Sequence, residues 1–165
     1  MDKIDQQYDV IFRTNLALIG LRFDGEKLVN VKYLDKKSYK TTPKKSLSKS
    51  AEAVKNKIEK YIDPRSKTRS INIDVSLNVS AFQGKVLEQL LKIPYGETRT
   101  YGEIAKILET SPRAVGNACR NNPLPIIIPC HRVLAANGIG GYDGAKSGEL
   151  LDIKRNLLAN EGVLL

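Results

Sequence analysis

Thr100-Tyr101-Gly102-Glu103-Ile104-Ala105-Lys106-Ile107-Leu108-Glu109-Thr110-Ser111-Pro112-Arg113-Ala114-Val115-Gly116-Asn117-Ala118-Cys119-Arg120 holds two helix starts in close succession. Thr100 and Glu103 have the spacing of a capping box, in which hydroxyl and carboxylate satisfy each other's free backbone amides. A short helix is therefore expected from Tyr101 to Leu108. Ser111 and Pro112 give a second N-cap followed by proline at the first helical position, which predicts a helix from Pro112 to about Arg120. Two short helices joined by a tight turn read as helix-turn-helix. On the second helix Val115, Ala118 and Cys119 share an apolar side. Arg113, Asn117 and Arg120 fall on another side and offer two guanidiniums and an amide to solvent or to a phosphate backbone. Ala114 and Gly116 keep the helix slim enough for close approach to a ligand.

Upstream, the hydrophobic period changes at Ala81. Val86, Leu87, Leu90 and Leu91 mark a helix ending before Pro94, and Tyr95-Gly96 makes a turn. Before it, residues 8–34 read as β structure: Ile19, Leu21 and Phe23 alternate with Gly20 and Arg22, and Val29, Val31 and Tyr33 alternate with Asn30 and Lys32. Asp24-Gly25 between them is a hairpin signal. Ser50 is the expected cap of a helix burying Val54, Ile58, Tyr61 and Ile62, with Pro64 beyond its end. Ile71, Ile73, Val75, Leu77 and Val79 alternate with polar residues as a half-buried strand would. The expectation is a mixed α/β (α+β) chain with an N-terminal sheet-plus-helix domain over 1–80 and a mostly helical domain over 81–165.

Downstream comes Pro125-Ile126-Ile127-Ile128-Pro129-Cys130-His131-Arg132-Val133, in which two prolines frame a rigid apolar run. It carries the only histidine of the chain beside one of two cysteines. A thiolate is the nucleophilic form of cysteine, and a neighbouring base or cation is what lowers its pKa. Alone, such a pair reads more readily as a buried structural cysteine beside a satisfied histidine. A loop with Gly138, Gly140, Gly141 and Gly144 follows, bracketing Tyr142 and Asp143; it matches neither phosphate-binding glycine pattern and suits a wall against which a flat ligand can lie. The last helix, from about Gly148 to Asn160, is expected to bury Leu150, Ile153, Leu157 and Leu158. Glu161 lies on that apolar side, where a carboxylate needs a partner, and His131 is the one nominated. Cys130, His131 and Glu161 then form a nucleophile, a base and an orienting acid. Adjacent residues in an extended segment point apart, so a bridging water is expected between Cys130 and His131.

Composition narrows the choices. The net charge is +9, with 17 basic against 10 acidic residues up to Ser80 and 10 against 8 after it. A polyanionic partner fits that balance, although the lysine-rich stretch 36–67 reads as a solvated surface. No apolar run reaches membrane-spanning length, and the polar, acidic stretch Met1–Val10 does not resemble a leader. Two cysteines and one histidine cannot furnish a four-ligand zinc site, so no metal and no cofactor are expected. A reducing, cytoplasmic setting (nuclear in a eukaryote) suits free thiols.

The run Asn122-Pro123-x-Pro125 followed by Pro129-Cys130-His131-Arg132-Val133 resembles the active-site signature of the O6-alkylguanine-DNA alkyltransferases, the methylated-DNA–protein-cysteine methyltransferases. The resemblance extends in order through Phe82-Gln83, Ile93-Pro94-Tyr95-Gly96-Glu97-Thr98, Tyr101-Gly102-Glu103-Ile104-Ala105, Arg113-Ala114-Val115-Gly116 and Gly140-Gly141-Tyr142, covering about Ala81 to Gly162. It implies a ribonuclease-H-like N-terminal domain and single-turnover repair. A monomer would bind duplex DNA containing O6-alkylguanine through the minor groove, flip the damaged base into a pocket and take the alkyl group onto Cys130.

By the same resemblance His131 acts as base through a water, Glu161 orients it, Asn122 holds the network, and Tyr101 assists the departing guanine. Arg113 fills the gap in the base stack. Ala114, Gly116, Asn117, Arg120 and Thr100 contact DNA, and Val133, Ile139, Gly140, Tyr142, Asp143 and Gly144 line the base pocket. Two departures stand out. Asp143 occupies a place where many members carry a small hydroxyl residue, and the N-terminal half lacks the Cys and His with which some members bind zinc. A lesion sensor without catalysis and a cysteine hydrolase are the alternatives. Sensors of that kind replace the cysteine that this chain keeps, and no oxyanion device is visible for a hydrolase.

Overall fold

The computed structural model describes residues 7–165; most of the polar opening stretch, 1–6, lies outside the described residues. Contacts divide the chain into two compact units that meet between Leu77 and Asn78.

The first unit is a three-stranded antiparallel sheet in the order β1 (Val10–Arg13), β2 (Leu18–Asp24), β3 (Lys27–Leu34), accompanied by α1 (Lys49–Ile62). Gly25 takes a φ of +60° in the β2–β3 turn, as the Asp-Gly pair requires. Leu18, Ile19 and Leu21 of β2 are fully buried. Gly20 cannot carry a side chain, because a Cβ there would sit 2.8 Å from Leu34 Cδ1 and from Tyr8 Cδ1. Simple alternation fails in β3. The register shifts so that Arg22 faces Asn30 while Phe23 faces Leu28, leaving Val29 as an extra residue. That bulge changes the parity, so Leu28 and Val31 point inward while Val29 and Tyr33 are only half-buried.

Helix α1 is capped by Ser48, whose hydroxyl accepts from the Ala51 amide, and not by Ser50. Val54, Ile58, Tyr61 and Ile62 are buried as their spacing implied, with Ala51 added. The expected strand over 71–79 is corrected to an extended segment with a single bridge, Leu28 to Val75. The Leu28 amide donates to the Asp74 carbonyl and the Ser76 amide to the Leu28 carbonyl, and the pairing goes no further.

The second unit contains α2 (Ala81–Leu91), β4 (Arg99–Thr100), α3 (Tyr101–Ile107), α4 (Pro112–Arg120), β5 (Val133–Leu134) and α5 (Glu149–Asn160). Val86, Leu87 and Leu90 of α2 are buried, but Leu91 is exposed at the helix end. In α5 it is Leu151, not Leu150, that joins Ile153, Leu157 and Leu158 inside, and Lys154 is fully buried among them. Strands β4 and β5 pair in parallel, Arg99 with Val133 and Thr100 with Leu134. That short ladder fixes the start of α3 beside the chain leaving Cys130. No helix of the described residues is long and apolar enough to cross a membrane.

Candidate active site

Thr100 accepts from the Glu103 amide while the Glu103 carboxylate accepts from the Thr100 amide at 2.6 Å, so α3 starts where the capping box requires. Ser111 caps α4 through the Ala114 amide, with Pro112 at its first turn. Val115, Ala118 and Cys119 face inward, while Arg113, Asn117 and Arg120 are exposed. The far end of α4 is closed by α2: Gln83 Nε2 donates to the Asn121 carbonyl at 2.8 Å.

Cys130 stands at the first position of a 3-10 turn, Cys130–Arg132, and the expected extended geometry is corrected accordingly. With three residues per turn, successive side chains are splayed by roughly 120° rather than opposed. Ile126, at φ +75°, bends the chain ahead of this turn. Asn122 holds the bend together: its Nδ2 donates to the Ile128 carbonyl at 3.0 Å, and its Oδ1 accepts from the Leu124 amide at 3.0 Å.

Cys130 lines a cavity of about 230 Å³ together with Tyr101, Gly116, Cys119, Arg120, Gly141, Tyr142, Asp143, Gly144, Ala145 and Lys146. Three residues expected in the pocket wall are not among those lining it: Val133, Ile139 and Gly140. Val133 is fully buried, and the Val133 and Ile139 carbonyls turn toward Lys154. Gly140, at φ +74°, packs against the Tyr101 ring. Tyr101 itself donates weakly, at 3.4 Å, to the Gly141 carbonyl. Arg113, Ala114, Asn117 and Thr100 also lie outside the cavity lining, and the Thr100 hydroxyl is engaged in its cap. Both cysteines are free, and Cys119 shares the cavity in addition to packing under α4.

Behind Cys130, His131 and Glu161 form a buried pair with Nε2 and Oε1 2.7 Å apart. Sequence reasoning nominated that pair but missed its third member. Arg132 Nε donates to Glu161 Oε2 at 2.8 Å and its Nη2 to Oε1 at 3.0 Å, while its Nη1 reaches the Ile93 carbonyl at 2.7 Å. The Gly96 amide adds a bond to Glu161 Oε2, and the Tyr95 ring lies 5.7 Å under the guanidinium. A charged residue beside the Cys-His pair was the available signal.

Burial favours the neutral form of Glu161, but hydrogen bonds from His131 and Arg132 overcome it and hold the carboxyl down at about 2. Burial lowers His131, against the opposing pull of Glu161. A neutral His131 facing a carboxylate carries its proton on Nε2, an assignment from the hydrogen bonding. Nδ1 is then a bare acceptor; it is buried and bonded to nothing among the described residues. Burial pushes the Cys130 thiol up to about 11 and the Asp143 carboxylate adds to the rise, while Asn122 and Lys154 pull the other way. Burial, with help from the two thiols, keeps the Tyr101 hydroxyl firmly protonated.

A fully buried lysine completes the site. Lys154 Nζ donates to the carbonyls of Val133 at 2.6 Å, Ile139 at 2.7 Å and Gly141 at 2.9 Å, and it sits 5.9 Å above the Tyr101 ring.

Residues 81–163 match the family model described as 6-O-methylguanine DNA methyltransferase, DNA binding domain. A methylated-DNA–protein-cysteine methyltransferase of Archaeoglobus fulgidus is 44% identical over 119 residues, spanning 72% of this chain and 80% of that protein. One from Methanocaldococcus vulcanius is 64% identical over 70 residues, spanning 42% of this chain and 44% of its own length. Among solved structures, Mycobacterium tuberculosis OGT in complex with DNA is similar with a TM-score of 0.74 at 31% identity, over 93% of this chain and 92% of that one. The O6-methylguanine DNA methyltransferase of Methanococcus jannaschii gives 0.66 at 36% identity, over 94% of both chains.

Proposed function

The chain belongs to the O6-methylguanine DNA methyltransferase family, and we propose that Cys130 is the alkyl-accepting residue of its reaction, with O6-alkylguanine in duplex DNA as the donor. It is a DNA repair protein that moves an alkyl group from DNA to its own cysteine. The observation that supports Cys130 most directly is its position in the wall of the cavity, directly ahead of the His131–Glu161 pair.

The step is a direct displacement. Cys130 Sγ forms a bond to the alkyl carbon as the carbon–O6 bond breaks, and the bonding pair stays on the guanine. The thiol proton passes through a water to His131 Nδ1, the bare nitrogen of the neutral ring. Guanine is a poor leaving group without acid assistance, and the protonated Tyr101 hydroxyl donates to the departing base. The thioether cannot be reversed, so each molecule acts once.

The α3–α4 pair serves as a helix-turn-helix on the duplex, with Arg113 at the exposed start of α4 entering the stack and Asn117 and Arg120 near the backbone. A cavity below the roughly 300–1,000 Å³ of drug-sized sites suits one flat flipped base. The protein acts as a monomer in a compartment that keeps Cys119 and Cys130 reduced. Titrating it against duplex carrying one O6-methylguanine tests this directly. One lesion should vanish per molecule, and none with Cys130→Ser; conversion beyond one equivalent contradicts it.

A further inference from the structure

Lys154 is unused by the chemistry above, yet no larger side chain in the described molecule is so completely buried. An ammonium has three donors, and all three here go to main-chain carbonyls, those of Val133, Ile139 and Gly141. Three carbonyl oxygens converging on one point repel one another unless a cation sits between them. A neutral side chain of the same length would leave that convergence unsupported. The carbonyls also matter by location: Val133 follows the Cys130–Arg132 turn, and Gly141 lines the cavity.

The other charges around Cys130 are already engaged. Arg132 is matched by Glu161, and His131 is held neutral by burial. Facing Lys154 and the thiol are Tyr101 from α3, Cys119 from α4, His131 and Arg132 from the turn, and Asp143 from the glycine-rich loop, whose carboxylate opposes a thiolate. Lys154 lowers the pKa of both cysteines, and each cysteine in turn favours the charged lysine.

We propose that Lys154 is a positioning residue of the alkyl-transfer site: its ammonium gathers the Val133, Ile139 and Gly141 carbonyls behind the cavity wall and supplies the positive charge that favours the Cys130 thiolate. The proposal rests on Cys130 being the acceptor. Because Lys154 reaches no reacting atom, it acts through the loop it ties down and through its field. Burial brings the lysine itself down to about 8 and pushes the thiol up to about 11, so the lysine charge is lost first and the two ionisations are coupled.

The test uses the full chain and its Lys154→Gln variant, which keeps N–H donors and removes the charge. Iodoacetamide labelling of Cys130, located by peptide mass analysis, is followed against pH beside methyl transfer from lesion duplex. In the unmodified protein, Cys130 reactivity should rise in two coupled steps, separated where Lys154 loses its proton. In Lys154→Gln it should follow one step displaced upward, with labelling near neutral pH about tenfold slower, as one pKa unit requires. Superimposable profiles overturn the proposal. Should Lys154→Gln fail to fold, a simple one-proton profile in the unmodified protein overturns it as well. Methyl transfer by the unmodified protein that continues after Cys130 has been fully labelled would instead count against Cys130 as acceptor, with the proposal for Lys154 failing separately on the profiles.

Discussion

His131 Nε2 and Glu161 Oε1 are 2.7 Å apart in a pocket that excludes solvent from both, and the same carboxylate receives three further bonds from Arg132. The turn after Pro129 is thereby pinned to the end of α5, and the proton of His131 is directed away from the cavity. Base geometry and fold stability therefore rest on one carboxylate.

The pH dependence of stability follows from that carboxylate. Its folded-state pKa, about 2, lies below the ordinary carboxylate range. A depressed acid stabilises the fold above its unfolded pKa and ceases to do so as pH falls through the folded one. Roughly 3 kcal/mol should disappear between about pH 5 and pH 2. Thermal melts across that window should show a steeper loss in the unmodified protein than in Glu161→Gln. Parallel losses would remove Glu161 as the source.

Truncating the carboxylate should be worse than neutralising it. Glu161→Ala leaves the Arg132 guanidinium buried without its counter-ion, a defect that typically costs 3–5 kcal/mol. Denaturant unfolding should show a loss of about that size, together with slower alkyl transfer. A near-neutral Glu161→Ala would contradict the triad.

Tyr101→Phe removes the hydroxyl that points to the Gly141 carbonyl while keeping the ring against Gly140. Alkyl transfer should slow by about 10²-fold or more, the usual share of general-acid assistance, with affinity for lesion duplex little changed. An unchanged rate would take Tyr101 out of the mechanism.

Arg113→Ala should impair repair in duplex far more than reaction with free O6-benzylguanine, since an exposed arginine outside the cavity has no contact with a base that arrives alone. Equal losses on both substrates would contradict its place in the base stack.

Gly140 is the loop glycine whose replacement would meet the Tyr101 ring. A Cβ there lies 3.0 Å from Tyr101 Cε2 and 3.1 Å from the Ala135 nitrogen, at a φ of +74°. Gly140→Ala should cost on the order of 1–3 kcal/mol through backbone strain, lower the melting temperature, and slow transfer by displacing Tyr101. Wild-type rates would show that the ring accommodates the methyl group.

Signals carried by neighbours in the chain were legible. Thr100 with Glu103, Ser111 with Pro112 and Asp24 with Gly25 announce their caps and turn, because the interacting atoms lie within four residues. The Val29 bulge and the single-bridge pairing of segment 71–79 were not, since register is decided by a distant strand. Glu161 and His131 could be matched because each is a side chain in need of a partner. Lys154 could not, because its partners are backbone carbonyls, which every residue possesses and no sequence distinguishes. Arg132 was hidden for a related reason: it sits inside the Pro-Cys-His-Arg-Val frame, where it reads as part of a motif and not as the ion that balances Glu161.

The most direct measurement is the intact mass of the protein after incubation with duplex containing O6-methylguanine, followed by peptide mapping. The expected result is a single methylene-sized gain located on Cys130, absent in Cys130→Ala. No gain, or a gain that persists in Cys130→Ala or maps to Cys119, would contradict Cys130 as the acceptor.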